Sequence, residues 1–279
     1  MENKSFFETL NPKTAATVGI LSGIGVLCIV ACLIMAIMAA QGKISYVSNP
    51  VKKVADKTAQ ITDTTGGEIA AVKADKPNVE LFIMSYCPYG LQMQKALLPV
   101  MELLKDKADI SIKFVSYIMH DKKEIDENNL QYCLENEQQD RLVPYLKCFT
   151  VSGDSASCLK EAKVNESKLV NCINATDKKF GTTAAYNDKA TWLSGYYPLY
   201  PVHQELNERY GVQGSPTLVI NGAQVQAARS PEAVKQAICA AFNEQPSECD
   251  QTLSTASAAP SFGAGSDTTG GAAAGCATQ

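Results

Sequence analysis

Between Ala15 and Ala40 the chain runs 26 residues without a charged side chain. A hydrocarbon core about 30 Å thick is crossed by roughly 20 apolar residues of helix. The stretch therefore predicts one transmembrane helix, with residues 1–14 as a short N-terminal flank. Gly19, Gly23 and Gly25 are tolerated in such helices. A cleaved signal peptide is the rival reading. Its apolar region spans only about 7–15 residues and ends in an Ala-x-Ala-like site, which Met38-Ala39-Ala40 fits poorly. Ile29-Val30-Ala31-Cys32 resembles a lipoprotein site, but the apolar Leu33-Ile34-Met35 come directly after it.

Two signals disagree about which side of the membrane the rest occupies. Lys43, Lys52, Lys53 and Lys57 follow the apolar segment against Lys4 and Lys13 before it, which leans towards a cytoplasmic C-terminal part. Ten cysteines in 279 residues lean towards an oxidising compartment. Long translocated domains are only weakly governed by loop charge, so the expectation is a single-pass protein with its globular domain on the extracytoplasmic side. A net charge of -4 argues against a nucleic-acid partner. With 46% hydrophobic and 19% charged residues, a sizeable core can form.

Residues 41–77 carry Thr62-Asp63-Thr64-Thr65-Gly66-Gly67 and no sustained apolar period, which reads as a flexible stalk with some helix around Val51–Ala59. Residues 251–279, with Gly-Gly-Ala-Ala-Ala-Gly-Cys near their end, read as a disordered tail. The folded domain is then 78–250. Val79–Met84 is an apolar run of the buried-strand type, and Ser85-Tyr86-Cys87-Pro88-Tyr89-Gly90 interrupts it before a helical pattern on Leu91, Gln94, Leu98 and Met101. Pro99 is expected to kink that helix. Ile110–Val115 alternates as a second strand, and strand, helix, strand at this spacing implies a right-handed crossover and a parallel pair. Ser215-Pro216-Thr217-Leu218-Val219-Ile220-Asn221-Gly222 reads as a third strand ending in a turn, and Pro231–Phe242 as a closing helix with proline in its first turn.

The strand, Cys87-Pro88-Tyr89-Gly90, the helix, and later Gly211-Val212-Gln213-Gly214-Ser215-Pro216-Thr217 together resemble the thioredoxin superfamily. Within it the chain is most similar to the DsbA-like group and the lysosomal type of thiol reductase. The two motifs lie within residues 79–222. The resemblance implies an α/β thioredoxin-like fold with an α-helical insertion at about 120–200. It implies thiol–disulfide exchange on thiol- or disulfide-containing proteins, with no metal or organic cofactor. Cys87 maps onto the nucleophile at a helix N-terminus, where unpaired N–H groups favour a thiolate. Pro216 maps onto a proline preceded by a cis bond, holding Ser215 opposite Cys87, so Pro88, Tyr89, Ser215 and Pro216 are the expected substrate contacts.

The departure from that family's pattern is at Gly90, where the usual Cys-x-x-Cys motif has its second cysteine. A dithiol site resolves its own mixed disulfide, and Cys87 has no such neighbour. An external thiol or a membrane redox partner is one way to complete the cycle. Cys276 on the tail is another, as a resolving cysteine, although that residue reads first as a free thiol, a lipid site or a link to another chain. A non-catalytic module that binds through the same groove is the alternative function.

Cys133, Cys148, Cys158 and Cys172 fall in the insertion, whose short helices are expected at 127–137, 140–149, 155–162 and 167–178. They allow three pairings, and Cys239 with Cys249 can clip the last helix to the chain just beyond it; all six are expected in structural disulfides. Zinc is the rival, but the four lack Cys-x-x-Cys spacing and have only His120 nearby. Cys28 and Cys32 read as plain apolar residues of the membrane segment. His120 and His203 read first as surface histidines near helix starts and second as an acid or base. Trp192, Tyr196, Tyr197 and Tyr200 form an aromatic cluster that reads first as core and second as groove lining, and Asp121-Lys122-Lys123-Glu124 reads as a solvated charged face.

Overall fold

A computed structural model describes residues 72–266 and the backbone of Cys276 and Ala277. The expected membrane helix at 15–40 and the stalk over 41–71 lie outside the described residues. Among the described residues no helix is long and apolar enough to cross a membrane.

The apolar run after the stalk is the centre of the sheet. Strand β1 (Asn78–Ile83) is buried at every position after Asn78. Val79, Leu81 and Ile83 join the main core on one face, while Phe82 and, just beyond the strand, Met84 join a second cluster with Val115, Val212 and Val219 on the other. That is the period-two alternation of a strand covered on both sides. Helix α1 (Pro88–Leu103) crosses over to β2 (Asp109–Phe114), which runs parallel to β1 with Leu81 opposite Ile112. α1 runs through Pro99 to Leu103.

On the other side of β1 lies β4 (Thr217–Ile220), antiparallel, with Leu81 opposite Leu218. It hairpins into β5 (Ala223–Val225) through Asn221 and Gly222, both at positive φ, the pairing a tight hairpin turn requires. The sheet order is β2-β1-β4-β5. Helix α8 (Pro231–Cys239) starts at Ser230, whose hydroxyl accepts from the Ala233 N–H, and buries Val234 and Ile238 against α1. This mixed α/β layering is the one the thioredoxin-like resemblance implies.

The insertion folds as α2 (Asp121–Glu137), α3 (Gln139–Ser152), α4 (Ser155–Glu161), α5 (Glu166–Phe180) and α6 (Thr182–Asn187), with α7 (Gln204–Tyr210) leading back to the sheet. Asp154 and Asn165 cap α4 and α5 by accepting from the Ser157 and Lys168 amides, as such residues do at helix starts. Cys133–Cys172 joins α2 to α5, Cys148–Cys158 joins α3 to α4, and Cys239–Cys249 joins the end of α8 to the turn after it. Structural disulfides of this kind stabilise by about 2–4 kcal/mol each.

Three expectations need correction. Helix α2 begins at Asp121 rather than 127, and Glu124 is buried rather than on a solvated face. Its carboxylate accepts from the Met119 and His120 amides, so the charge is spent on the helix entrance. The end of the expected stalk packs on the domain: Ala74 exchanges backbone hydrogen bonds with Ala241 and Asn243, and Lys76 pairs with Asp109. The expected disordered tail is ordered over residues 251–266. Leu253 N–H donates to Glu232, Ala258 N–H to the Arg229 carbonyl and Ser261 N–H to the Pro88 carbonyl. Phe262 stands edge-on to Tyr86 and Phe149. Composition marks the segment as too polar to fold alone; it folds because α1 and α8 offer it partners.

Candidate active site

Cys87 is the N-cap residue of α1, in extended backbone (φ -67°, ψ 125°), with Pro88 in the first turn and no acidic side chain there. Its N–H donates to the Met84 carbonyl and its carbonyl accepts from Leu91, which fixes the junction between β1 and α1. The geometry of a helix start leaves the Tyr89 and Gly90 amides without intrahelical acceptors, and the positive end of the helix dipole lies at Cys87. The side chain is buried among Phe82, Met84, Val115, Val212 and Val219. Cys87 is disulfide-bonded.

The second half of the site comes from the loop before β4. The Ser215–Pro216 peptide bond is cis. The Ser215 carbonyl oxygen lies 3.5 Å from Cys87 Sγ, and Ser215 Oγ accepts from the Met84 N–H at 2.9 Å. Tyr117 Oη donates to the Gln213 carbonyl and Thr217 Oγ1 to that of Gly214. The loop is thus tied on both sides of Ser215. Gly214–Ser215 form a short strand, β3, whose edge is paired antiparallel by β6 (Cys276–Ala277): Ser215 faces Cys276 and Gly214 faces Ala277.

Of the four expected substrate contacts, Pro88, Tyr89 and Pro216 are partly exposed at the rim. Ser215 is buried with its hydroxyl engaged by Met84, so what it can offer an incoming chain is its backbone. Gly90 sits under this loop. A Cβ there would lie 2.7 Å from Ser215 Oγ, 3.0 Å from the Met84 carbonyl oxygen and 3.3 Å from Cys87 Cβ. The position that carries the second cysteine in a dithiol motif has no room for one while Ser215 stays in place.

Arg229 escapes a reading of the sequence. Its guanidinium lies over the Tyr89 ring at 4.9 Å and donates to Gln92 Oε1. A single arginine between β5 and α8 carries no pattern that would mark it out. Lys123 lies over the Tyr86 ring at 4.6 Å, so two cations flank the start of α1. A cleft of about 340 Å³ opens beside Pro216, lined among others by Gln92, Met93, Thr217, Val225 and Arg229.

Behind the site a buried polar chain ties α1 to the insertion. Gln94 Nε2 donates to Gln131 Oε1, and Gln131 Nε2 donates to Glu127. Glu127 also accepts from Tyr145 Oη and Ser155 Oγ. Burial, opposed by these bonds, leaves the Glu127 carboxyl above its usual range. The histidines divide. His120 is partly exposed and bonded to Glu124. His203 is buried rather than on the surface: its Nδ1 accepts from the Phe114 N–H, and burial, with Lys113 adding to it, pushes its pKa down to about 3. That leaves neither placed at Cys87. The aromatic cluster also divides, Tyr200 being core and Tyr196 exposed. Among the described residues no group of His, Cys, Asp or Glu is arranged to hold a metal ion.

No protein-family model matches the chain, and no curated protein resembles it in sequence. Solved structures do resemble it in outline. Oxidised Mtb DsbA is 15% identical, with 66% of this chain matched to 94% of that one at a TM-score of 0.45. The reduced DsbG disulfide oxidoreductase of Mycobacterium tuberculosis is 15% identical, 66% against 88%, at 0.42. Oxidised BdbD of Bacillus subtilis is 17% identical, 61% against 90%, at 0.38. At such identities the chemistry has to be read from this chain's own residues.

Proposed function

We propose that the protein is a thiol–disulfide oxidoreductase or isomerase acting on exported proteins through Cys87. The observation that carries this is the placement of a cysteine at the N-terminus of α1, 3.5 Å from the Ser215 carbonyl, beside a strand edge that pairs with extended chain. The helix start favours a thiolate once the cysteine is reduced. A substrate segment lying antiparallel along Gly214–Ser215 brings its disulfide to Sγ, and its side chains reach the cleft beside Pro216. The Cys87 thiolate attacks one substrate sulfur, the substrate disulfide breaks, and the departing thiolate takes a proton from solvent. A second thiolate then attacks the mixed disulfide and releases Cys87. Tyr89, held by Arg229, and Pro88 form the opposite rim.

We infer that this domain is tethered by the helix expected at 15–40, on the extracytoplasmic side, where protein thiols and disulfides are the available substrates. An external thiol or a membrane redox partner would renew the site. The competing reading is a binding module with an inert cysteine, and the full burial of Cys87 favours it. Alkylation separates the two. After reduction, an exchange enzyme alkylates at Cys87 well below the pH at which an ordinary thiol of pKa about 8.5 reacts, and Cys87→Ser abolishes mixed-disulfide formation with a disulfide peptide. A Cys87 that resists alkylation in the reduced folded protein refutes the enzyme.

A further inference from the structure

We propose that Cys276 is the resolving cysteine of this site, forming a reversible disulfide with Cys87 from a docked C-terminal strand. The proposal rests on Cys87 being the exchange nucleophile, and three independent observations lead to it.

The first is pairing. Cys87 is disulfide-bonded, while Cys133, Cys148, Cys158, Cys172, Cys239 and Cys249 pair with one another. Besides these, the chain has only Cys28, Cys32 and Cys276. The second is register. The backbone of β6 sets Cys276 opposite Ser215, and β6 also lies against α1. Antiparallel partners stand about 4.5–5.5 Å apart at Cα, and disulfides join Cα atoms about 4.4–6.8 Å apart. Ser215 itself is in contact with Cys87 through its carbonyl. The two elements that flank Cys87 are therefore the two that β6 touches. The third is the closed position at Gly90, where Ser215 Oγ would stand 2.7 Å from an added Cβ. A resolving thiol cannot come from this position and has to reach Cys87 from outside the motif.

The ordered tail shortens the path. Ser266 is bridged to Ala258, and Lys95 Nζ donates to the carbonyls of Ser261 and Gly263. Ten residues onward from Ser266 is Cys276, a span of at most about 33–36 Å. A short tether presents its group at an effective concentration on the order of millimolar.

The chemistry balances on two thiols and one disulfide. The Cys87 thiolate attacks a substrate disulfide, forming Cys87–S–S–substrate and one substrate thiol. Substrate and β6 share the Gly214–Ser215 edge, so they alternate there: once β6 displaces the substrate segment, the Cys276 thiolate attacks Cys87 Sγ, the bond from Cys87 to substrate breaks, and the second substrate sulfur leaves as a thiolate that takes a proton from solvent. The Cys87–Cys276 disulfide that forms has given two electrons to the substrate. Run in reverse, the same bond oxidises a substrate dithiol. A dithiol such as dithiothreitol returns the disulfide form to the reduced one.

The test uses the full chain in detergent. A peptide map under non-reducing conditions, with thiols trapped first, is expected to join Cys87 to Cys276. The reduced protein is then mixed with a disulfide peptide and about 10 µM competing thiol, so a millimolar internal thiol makes release of the second substrate thiol about 100-fold faster than the external route. Cys276→Ser is expected to lose that factor and accumulate the Cys87–peptide adduct. A map joining Cys87 to Cys28 or Cys32, or a Cys276→Ser protein that releases peptide at the wild-type rate, overturns the proposal while leaving Cys87 as nucleophile. Reduced wild type that forms no adduct and releases no thiol overturns the exchange reading itself.

Discussion

Replacing Gly90 with alanine tests why the motif ends in glycine. Gly90 is helical with no positive φ, so on propensity alone alanine stabilises by up to about 1 kcal/mol. The structure opposes that gain. The new Cβ meets Ser215 Oγ at 2.7 Å and the Met84 carbonyl at 3.0 Å, and overpacking of this kind costs about 1–3 kcal/mol. If Ser215 swings aside to make room, it leaves the buried Met84 N–H that its Oγ accepts from, which costs about 1–3 kcal/mol for the orphaned donor. Either route offsets the propensity gain and leaves Gly90→Ala less stable than wild type by up to about 2 kcal/mol. Ser215→Ala removes the hydroxyl that clashes, so the double variant is expected to be more stable than the two single losses added, by about 1–2 kcal/mol of coupling. Denaturant unfolding of the full chain in detergent, monitored through Trp192, the one tryptophan, reads all four corners of this cycle. A stabilised Gly90→Ala, or single effects that simply add, would refute the steric account of the closed position.

Groups away from Cys87 supply two more tests. Phe262→Ala removes two edge-on contacts, to Tyr86 and Phe149, and is expected to cost about 1–3 kcal/mol from pairs worth about 0.5–1.5 each; proteolysis between residues 251 and 266 should accelerate with it, and an unchanged rate would mean that Phe262 does not hold the segment. Burial, against the opposing Lys113, raises Glu135 to about 7 from 4.5, and burial lowers His203 from 6.5 to about 3. The folded state keeps the Glu135 proton, so its contribution is lost as pH rises from 4.5 to 7; it refuses the His203 proton, so that contribution is lost as pH falls from 6.5 to 3. Between pH 4.5 and 6.5 the two slopes cancel, so Glu135→Gln should make stability rise with pH, and His203→Gln should make it fall, by about 1.4 kcal/mol per unit; two variants with the same slope would contradict this.

The features legible in the sequence are those that short-range chemistry writes there. Val79–Met84 shows a strand covered on both faces, Asn221-Gly222 shows the turn that ends β4, and Ser230-Pro231 shows the start of α8, because each depends on residues that are neighbours in the chain. Of the insertion helices, α4 and α5 are legible for the same reason, their starts marked by Asp154 and Asn165. The site is legible as two motifs, but not as a geometry. Nothing local tells that Ser215 Oγ fills the space beside Gly90, because the two are 125 positions apart. Arg229 and Phe262 stay hidden for a related cause: Arg229 acquires its role through Tyr89 and Gln92 of α1, and Phe262 through Tyr86 and Phe149. His203 reads as a surface residue because its burial comes from the stacked Phe114 and the Tyr132 ring, neither of which is near it in sequence.

If Cys87 is the exchange nucleophile proposed above, the protein must also keep its own structural disulfides out of its reach. Exchange needs a thiolate in line with an accessible sulfur, and in each of the three scaffold pairs one cysteine is buried: Cys133, Cys158 and Cys239. Two of the pairs sit in the helical insertion and the third closes the end of α8, while Cys87 faces the strand edge formed by Gly214–Ser215. The insertion thus carries disulfides set apart from Cys87. Gly90 completes the separation from the other side, since a closed fourth position removes a nearby sulfur that would compete for Cys87. What reaches Cys87 is then decided by which extended segment pairs with Ser215, and in this structure that segment carries Cys276.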